Sequence, residues 1–403
     1  MSPERLAAAP LTGGGPSPRR GWRIVAAFAV TQTIGFGTLY YTFSVLLVPM
    51  ATDLGVTPPQ VTVALTVSVL VAALCAPLVG RIVDRRGGRA LMTCGAVLGA
   101  VALFGWSRVE NLPQLYAVFV AVGVASAMVL YEPAFAVIVS WFEASARANA
   151  LLGVTIVAGF ASSIFMPLTA WLLSEFGWRT ALVILAVLYG LTAIPLHALV
   201  IRHGPSRRQP SNERATIARE AVRGRPFWLL VVIFTAHGAA MAVIGLLLIT
   251  YLISLGHEPL FAATVAGLLG VLSVTGRLVT TGLRRRWTAA PVAAALFAVQ
   301  AAGALLLPVI GDTPAGAIAC VLLFGIGFGV ATITLPHLLA ERYGTTAYAT
   351  TSGRIAFFAI TAKATAPLAA VSLSQAVGYT NIMVTVSVLC GIAAFSLFGY
   401  ARL

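Results

Sequence analysis

Residues 57–106 read TPPQVTVALTVSVLVAALCAPLVGRIVDRRGGRALMTCGAVLGAVALFGW. Two apolar runs flank a short stretch, 80–89, that holds four arginines, one aspartate and three glycines. Each run is long enough to cross ~30 Å of hydrocarbon as a helix, and far longer than the roughly ten alternating residues of a barrel strand. In lipid the backbone must satisfy its own polar groups, so only helices and closed barrels span. Length decides for helices.

Working outward, the same pattern repeats. Apolar runs occupy 22–49, 57–80, 89–107, 112–141, 147–174 and 178–201, then 226–253, 259–282, 287–310, 314–340, 346–375 and 379–401. The expected fold is an all-α membrane protein of twelve transmembrane helices. Of the 403 residues, 59% are hydrophobic and only 9% charged, whereas soluble domains carry about a quarter charged residues. The net charge of +14 does not point to nucleic acid: apart from Lys363, every basic residue is an arginine, clustered between apolar runs. Cys75, Cys94, Cys320 and Cys390 sit singly inside such runs, without metal-ligand spacing. Nothing resembles a phosphate-cradling loop, a catalytic triad or a metal cluster. No cofactor, metal or enzymatic activity is expected.

Arginine placement sets orientation. The termini and the loops after even-numbered runs hold twenty-one arginines, and the loops after odd-numbered runs hold two, Arg108 and Arg179. Both termini are therefore expected in the cytoplasm, with the chain multi-pass in a cell inner membrane. A cytoplasmic tail, 1–20, leads into a first six-helix bundle, 21–201. A basic linker, 202–225, leads into a second bundle, 226–403. Matching features support two related halves: Gly153 and Pro167 against Gly353 and Pro367, Gly80-Arg81 against Gly276-Arg277, and Pro133 against Pro336. Duplicated halves about a central site are a transporter architecture.

The stretch Gly80-Arg-Ile-Val-Asp84-Arg85-Arg86-Gly87-Gly88-Arg89 resembles the signature loop of the major facilitator superfamily, G-x-x-x-D-R-x-G-R-[RK]. Gly80, Asp84, Arg85, Gly87 and Arg89 match, and Gly88 stands where a basic residue is common. The resemblance implies a gating loop that latches the two halves when the carrier faces outward, and a monomer. Tyr131-Glu132-Pro133, Trp141-Phe142, Arg147-Ala-Asn149, Gly153, Gly159, Pro167 and Gly177-Trp178-Arg179 resemble the monocarboxylate-transporter-like branch. That branch implies an arginine in the eighth helix, here Arg277, on the substrate carboxylate. Its usual aspartate four residues earlier is replaced by Ser273. The helix-5 glycine pattern of drug/proton antiporters is missing.

Charges inside the apolar runs are the candidate site. Glu132 lies some ten residues before the end of its run, so ~15 Å deep. A charge there costs ~3 kcal/mol or more, so it is ion-paired with an arginine, protonated, or facing a water-filled cavity as a proton or substrate site. Lys363 lies deep in the eleventh run. Arg354, nine residues earlier, points the opposite way on a straight helix and braces the cytoplasmic half. Arg277 is buried by about two turns and serves as substrate ligand, gate or packing residue. His237, mid-helix, is a hydrogen-bonded core group, a substrate contact or a proton shuttle. Gln32, Tyr40 and Tyr41 of the first run are candidate substrate contacts, with aromatic packing the alternative for the tyrosines.

Two cations and one acid favour an anionic substrate. The expected function is movement of a small organic anion, a monocarboxylate, coupled to protons through Glu132 or His237. The alternative is proton-coupled export of a drug-like or biosynthetic product. A non-transporting receptor would need a sensor or signalling domain, and none is visible in the sequence.

Overall fold

Each apolar run folds as a helix, because the i→i−4 ladder pairs its backbone groups where no water is available. The computed structural model describes residues 18–202, 211–284 and 286–403. The expected tail, 1–20, lies outside the described residues except for 18–20, and the linker, 202–225, does so over 203–210. Among the described residues there is no strand, and eleven stretches are long and apolar enough to cross a membrane. The first four are α1 (Arg19–Asp53), α2 (Pro58–Arg86), α3 (Gly88–Trp106) and α4 (Leu112–Trp141). The next, Ala146–Val200, is broken at Gly177, whose φ of +74° leaves the helical region. It therefore forms two helices, α5 over 146–176 and α6 over 178–200. There follow α7 (Arg225–Ser254), α8 (Leu260–Leu283), α9 (Ala289–Ile310), α10 (Pro314–Tyr343), α11 (Tyr348–Leu373) and α12 (Gly378–Ala401). Gly378, at φ +80°, separates the last two. A short linker helix, Ser211–Arg223, precedes α7.

The arginine stretch differs from a loop. Helix α2 continues through Arg86, and the turn is Gly87 alone, at φ +79°. Arginine extends a helix readily once the chain leaves the lipid, and glycine supplies the positive-φ residue that ends it.

Three helices expected to be continuous are interrupted, α5 only by a single turn residue, Phe160, between Gly159 and Ala161. In α4 the helix stops at Val129, Leu130 is extended (ψ −160°), and a second helix starts at Tyr131. Pro133 explains it: its ring clashes with the carbonyl four residues back, that of Val129, and it offers no N–H. In α10 the helix stops at Gly325 and resumes at Val330, across Ile326-Gly327-Phe328-Gly329. Here the glycines are responsible, since they lower helix propensity and admit neighbours too close for a side chain. Helix α1 also carries one π-helical turn, Gly37–Tyr41, a distortion common at functional sites.

Helices before the linker pack chiefly on one another, and so do those after it. Between these halves α2 lies on α11 backbone to backbone. A Cβ on Gly80 would sit 2.1 Å from the Ala349 carbonyl oxygen, and one on Gly353 2.3 Å from that of Ala76. At the same arginine-rich end Asp84 accepts hydrogen bonds from the backbone N–H groups of Ala349 (3.1 Å) and Thr350 (2.6 Å) in the first turn of α11. At the opposite end Thr42–Asp53 of α1 and the distal part of α5 pack against their own half. The two halves are thus joined at the arginine-rich end and parted at the other.

Candidate substrate cavity

Lys363 lies fifteen residues into α11, roughly 22 Å from its arginine-rich end at 1.5 Å per residue. Its stem crosses the bare backbone of α7, where a Cβ on Gly238 would sit 3.1 Å from Lys363 Cε. At that depth the Lys363 side chain is nevertheless exposed. An exposed cation so far into the bundle, laid over the backbone of a neighbouring helix, marks the candidate cavity. Tyr40 is likewise exposed, at 44%, from the π-helical turn of α1, and its ring meets that of Tyr41 edge-on at 5.3 Å.

Glu132 enters from the first turn of the second α4 segment. The break turns it inward, and its Oε2 accepts a 2.8 Å hydrogen bond from Ser352 Oγ of α11. Lys363 is its electrostatic neighbour, but no ion pair within 4.0 Å forms at Glu132 among the described residues. Of the three alternatives for Glu132, the pairing with an arginine is not found among the described residues. Acid and lysine instead flank the cavity from opposite halves of the chain. Tyr131 stacks on Phe135 (4.8 Å) and meets Phe36 (4.6 Å), which fixes the segment that carries Glu132.

Arg277 is 8% exposed and joins the two halves near the closed end. Its Nη1 donates to the Thr155 carbonyl of α5 at 2.7 Å, and its Nε faces the Gly329 carbonyl in the α10 break at 3.4 Å. Tyr41 and Tyr131 are its electrostatic neighbours. Five guanidinium donors leave some unused toward those tyrosines.

Two expected contacts lie behind the wall. Gln32 is fully buried, and its Nε2 donates to Val129 O at 2.7 Å. It satisfies the carbonyl that Pro133 frees at the α4 break. His237 is 2% exposed, stacks on Phe297 at 4.1 Å and places Nε2 3.1 Å from Gln300 Oε1. Gln300 in turn donates to Phe324 O at 2.9 Å, at the α10 break. Both residues hold a broken helix in place and do not face the cavity in this conformation.

Of the gating stretch, Gly80 and Asp84 meet α11, Gly87 makes the turn, and Arg85 and Arg89 are exposed with no ion pair among the described residues. Arg354, at the base of α11, donates to the Ala218 carbonyl of the linker helix, pointing away from Lys363. Arg147 is buried and donates to Phe142 O at 3.2 Å, closing the turn between α4 and α5.

Sequence reasoning missed Ser352, Tyr131, Thr155 and Gln300. The Gly325-Ile-Gly-Phe-Gly329 run is the legible signal for the second break, and Pro133 is the signal for the first. Nothing local marks Ser352 or Thr155, whose roles come from packing against the other half.

Comparison with known proteins fits this geometry. The chain is 24% identical over 335 residues to bovine monocarboxylate transporter 13, covering 81% of the chain and 76% of the relative. It is 26% identical over 380 residues to the oxalate:formate antiporter of Oxalobacter formigenes, covering 90% of the chain and 86% of the relative. The crystal structure of the human organic anion transporter MFSD10 (TETRAN) superposes with a TM-score of 0.73 at 17% identity, over 95% of this chain and 100% of that one. The Major Facilitator Superfamily model matches residues 29–359. With that match over most of its length, and eleven apolar stretches able to cross a membrane, the chain is a transporter that belongs to the Major Facilitator Superfamily.

Proposed function

We propose that the protein carries a small organic anion, a monocarboxylate or a close relative, across a cell inner membrane by alternating access. The observation that carries this reading is Lys363, an exposed cation deep in α11 with no ion pair within 4.0 Å among the described residues. An unneutralised charge at that depth is costly, and a substrate carboxylate lowers the cost. Relatives named for monocarboxylates and for oxalate and formate support the same sign of charge. Tyr40, Tyr41 and Arg277 complete the proposed binding site, and Glu132 is the proposed proton site, held by Ser352. Gln32 and His237 support this site from behind.

In this reading twelve helices span the membrane, six in each of two bundles, 21–201 and 226–403, with both termini cytoplasmic and the protein a monomer. The arginine-rich end is then the cytoplasmic gate, closed by Asp84 and Arg277, and the halves rock about the site to open it. Protonation of Glu132 offsets the substrate's charge balance and permits the loaded carrier to reorient.

The test is uptake of radiolabelled monocarboxylates by proteoliposomes after a pH jump. Lys363→Ala abolishes uptake while the protein still folds and reconstitutes, and Glu132→Gln removes the acid stimulation. Normal uptake by the Lys363→Ala protein would overturn the assignment. One observation favours a second reading, proton-coupled export of a cationic or drug-like product: Glu132 itself has no ion pair among the described residues. Transport of lipophilic cations but of no acid, abolished by Glu132→Gln and unchanged in Lys363→Ala, decides for it.

A further inference from the structure

A second site lies outside the cavity, at the arginine-rich end. A cleft of about 400 Å³ opens between the linker helix, the start of α7, α2 and the base of α11. Three arginines line it: Arg219 and Arg223 from the linker helix and Arg354 from α11. The rest of the wall is apolar, including Pro77, Trp228, Phe357 and Phe358. This combination is unlike a solvated basic surface, where polar residues surround the charges.

The linker helix is amphipathic. Ala218 and Ala221 are 2% and 4% exposed against the bundle, while Arg219 and Arg223 are exposed. It is held in place from three sides: Arg214 donates to the Asp84 carbonyl, Arg354 to the Ala218 carbonyl, and Trp228 Nε1 to Val222 O at 2.9 Å. Arg219 and Arg223 take no part in this bracing, and neither forms an ion pair among the described residues. Below them the Trp228 and Phe358 rings meet edge-on at 5.9 Å. One turn deeper the surface stays exposed and apolar, at Leu74 on α2 (66%) and Val232 on α7 (42%).

We propose that this cleft binds an anionic phospholipid, with its phosphate on Arg219 and Arg223 and its acyl chains along α2 and α7. Charge complementarity fixes the headgroup: guanidinium donors fork onto phosphate oxygens, and an aromatic floor excludes water from the pair. The apolar track into the bilayer selects a lipid over a soluble anion. Basic recesses beside transmembrane helices and amphipathic basic helices at the interface both carry this chemistry. The bound lipid fastens the linker helix, which touches Asp84 and Arg354, to the closed end of the carrier. The inference rests on membrane embedding alone, so its failure leaves the transport reading untouched.

The experiment is native mass spectrometry of the full chain in neutral detergent. It is titrated with phosphatidylglycerol, with phosphatidylcholine of the same chains, and with inorganic phosphate as competitor. Wild type retains phosphatidylglycerol selectively. Arg219→Gln with Arg223→Gln weakens that retention about thirtyfold, the loss expected for two interfacial arginines, and Arg219→Lys with Arg223→Lys, which keeps the charge but not the fork, restores part of it. Equal retention of both lipids, or undiminished retention by the glutamine variant with native circular dichroism, overturns the proposal. Displacement of the lipid by millimolar inorganic phosphate also overturns it, and assigns the cleft to a soluble anion.

Discussion

The breaks in α4 and α10 solve one problem with different chemistry. In α4 a proline forces the break, and a single buried amide, Gln32, satisfies the carbonyl it frees. In α10 glycines permit the break, and a chain of side chains, His237 to Gln300 to Phe324 O, holds it. The α4 break delivers an acid, Glu132, into the cavity, whereas the α10 break receives a cation, Arg277, against its own backbone. The difference teaches that duplicated architecture need not duplicate charge. The acid comes from one half and the cations from the other, so relative motion of the halves changes the distance between opposite charges.

The largest effect should come from filling the α10 break. A Cβ on Gly329 would lie 2.2 Å from the Ser273 carbonyl oxygen and 2.8 Å from Arg277 Nε. Gly329→Val should cost ~3 kcal/mol by overpacking and displace Arg277, with transport reduced at least as much as by loss of Arg277 itself. Thermal unfolding and uptake check this, and native values for both would break the comparison. Next come the amides. Gln300→Leu and Gln32→Leu each leave a buried carbonyl unpaired, at about 1–3 kcal/mol. The Gln300 variant also takes the partner of His237 Nε2 away, so its melting temperature should fall further. Equal losses would mean that the two breaks are held alike. The smallest effect is expected from Ser352→Ala, which removes one hydrogen bond to Glu132. A change of about tenfold in uptake rate, with unchanged stability, would fit a hydrogen bond to an ionisable group. No change in the pH profile would detach Ser352 from the proposed proton site.

Much of this was legible beforehand because lipid allows so few solutions. The long apolar runs led to helices, and Gly177 and Gly378 ended them where sequence placed the boundaries. Glu132 and Lys363 stood out because charges at that depth are expensive. What sequence could not supply was rotation. Gln32 and Lys363 both looked like inward polar groups in apolar helices, yet one faces a neighbouring carbonyl and the other the cavity. A polar side chain can satisfy itself on either side of a helix, and only the packed neighbour decides which. Pro133 was counted as a mark of internal repetition, although its steric demand on Val129 is what aims Glu132.

The bond between Asp84 and the start of α11 has a further implication for how the proposed gate tolerates change. Its two donors are peptide N–H groups, those of Ala349 and Thr350, which every residue except proline possesses. Changing these side chains leaves both peptide donors in place, within the limit set by their burial against α2 (4% and 8% exposed), whereas the acid on the other side cannot change without losing the bonds. Any mutational drift in the gate is borne unequally, with one partner written in the backbone and the other in a single carboxylate.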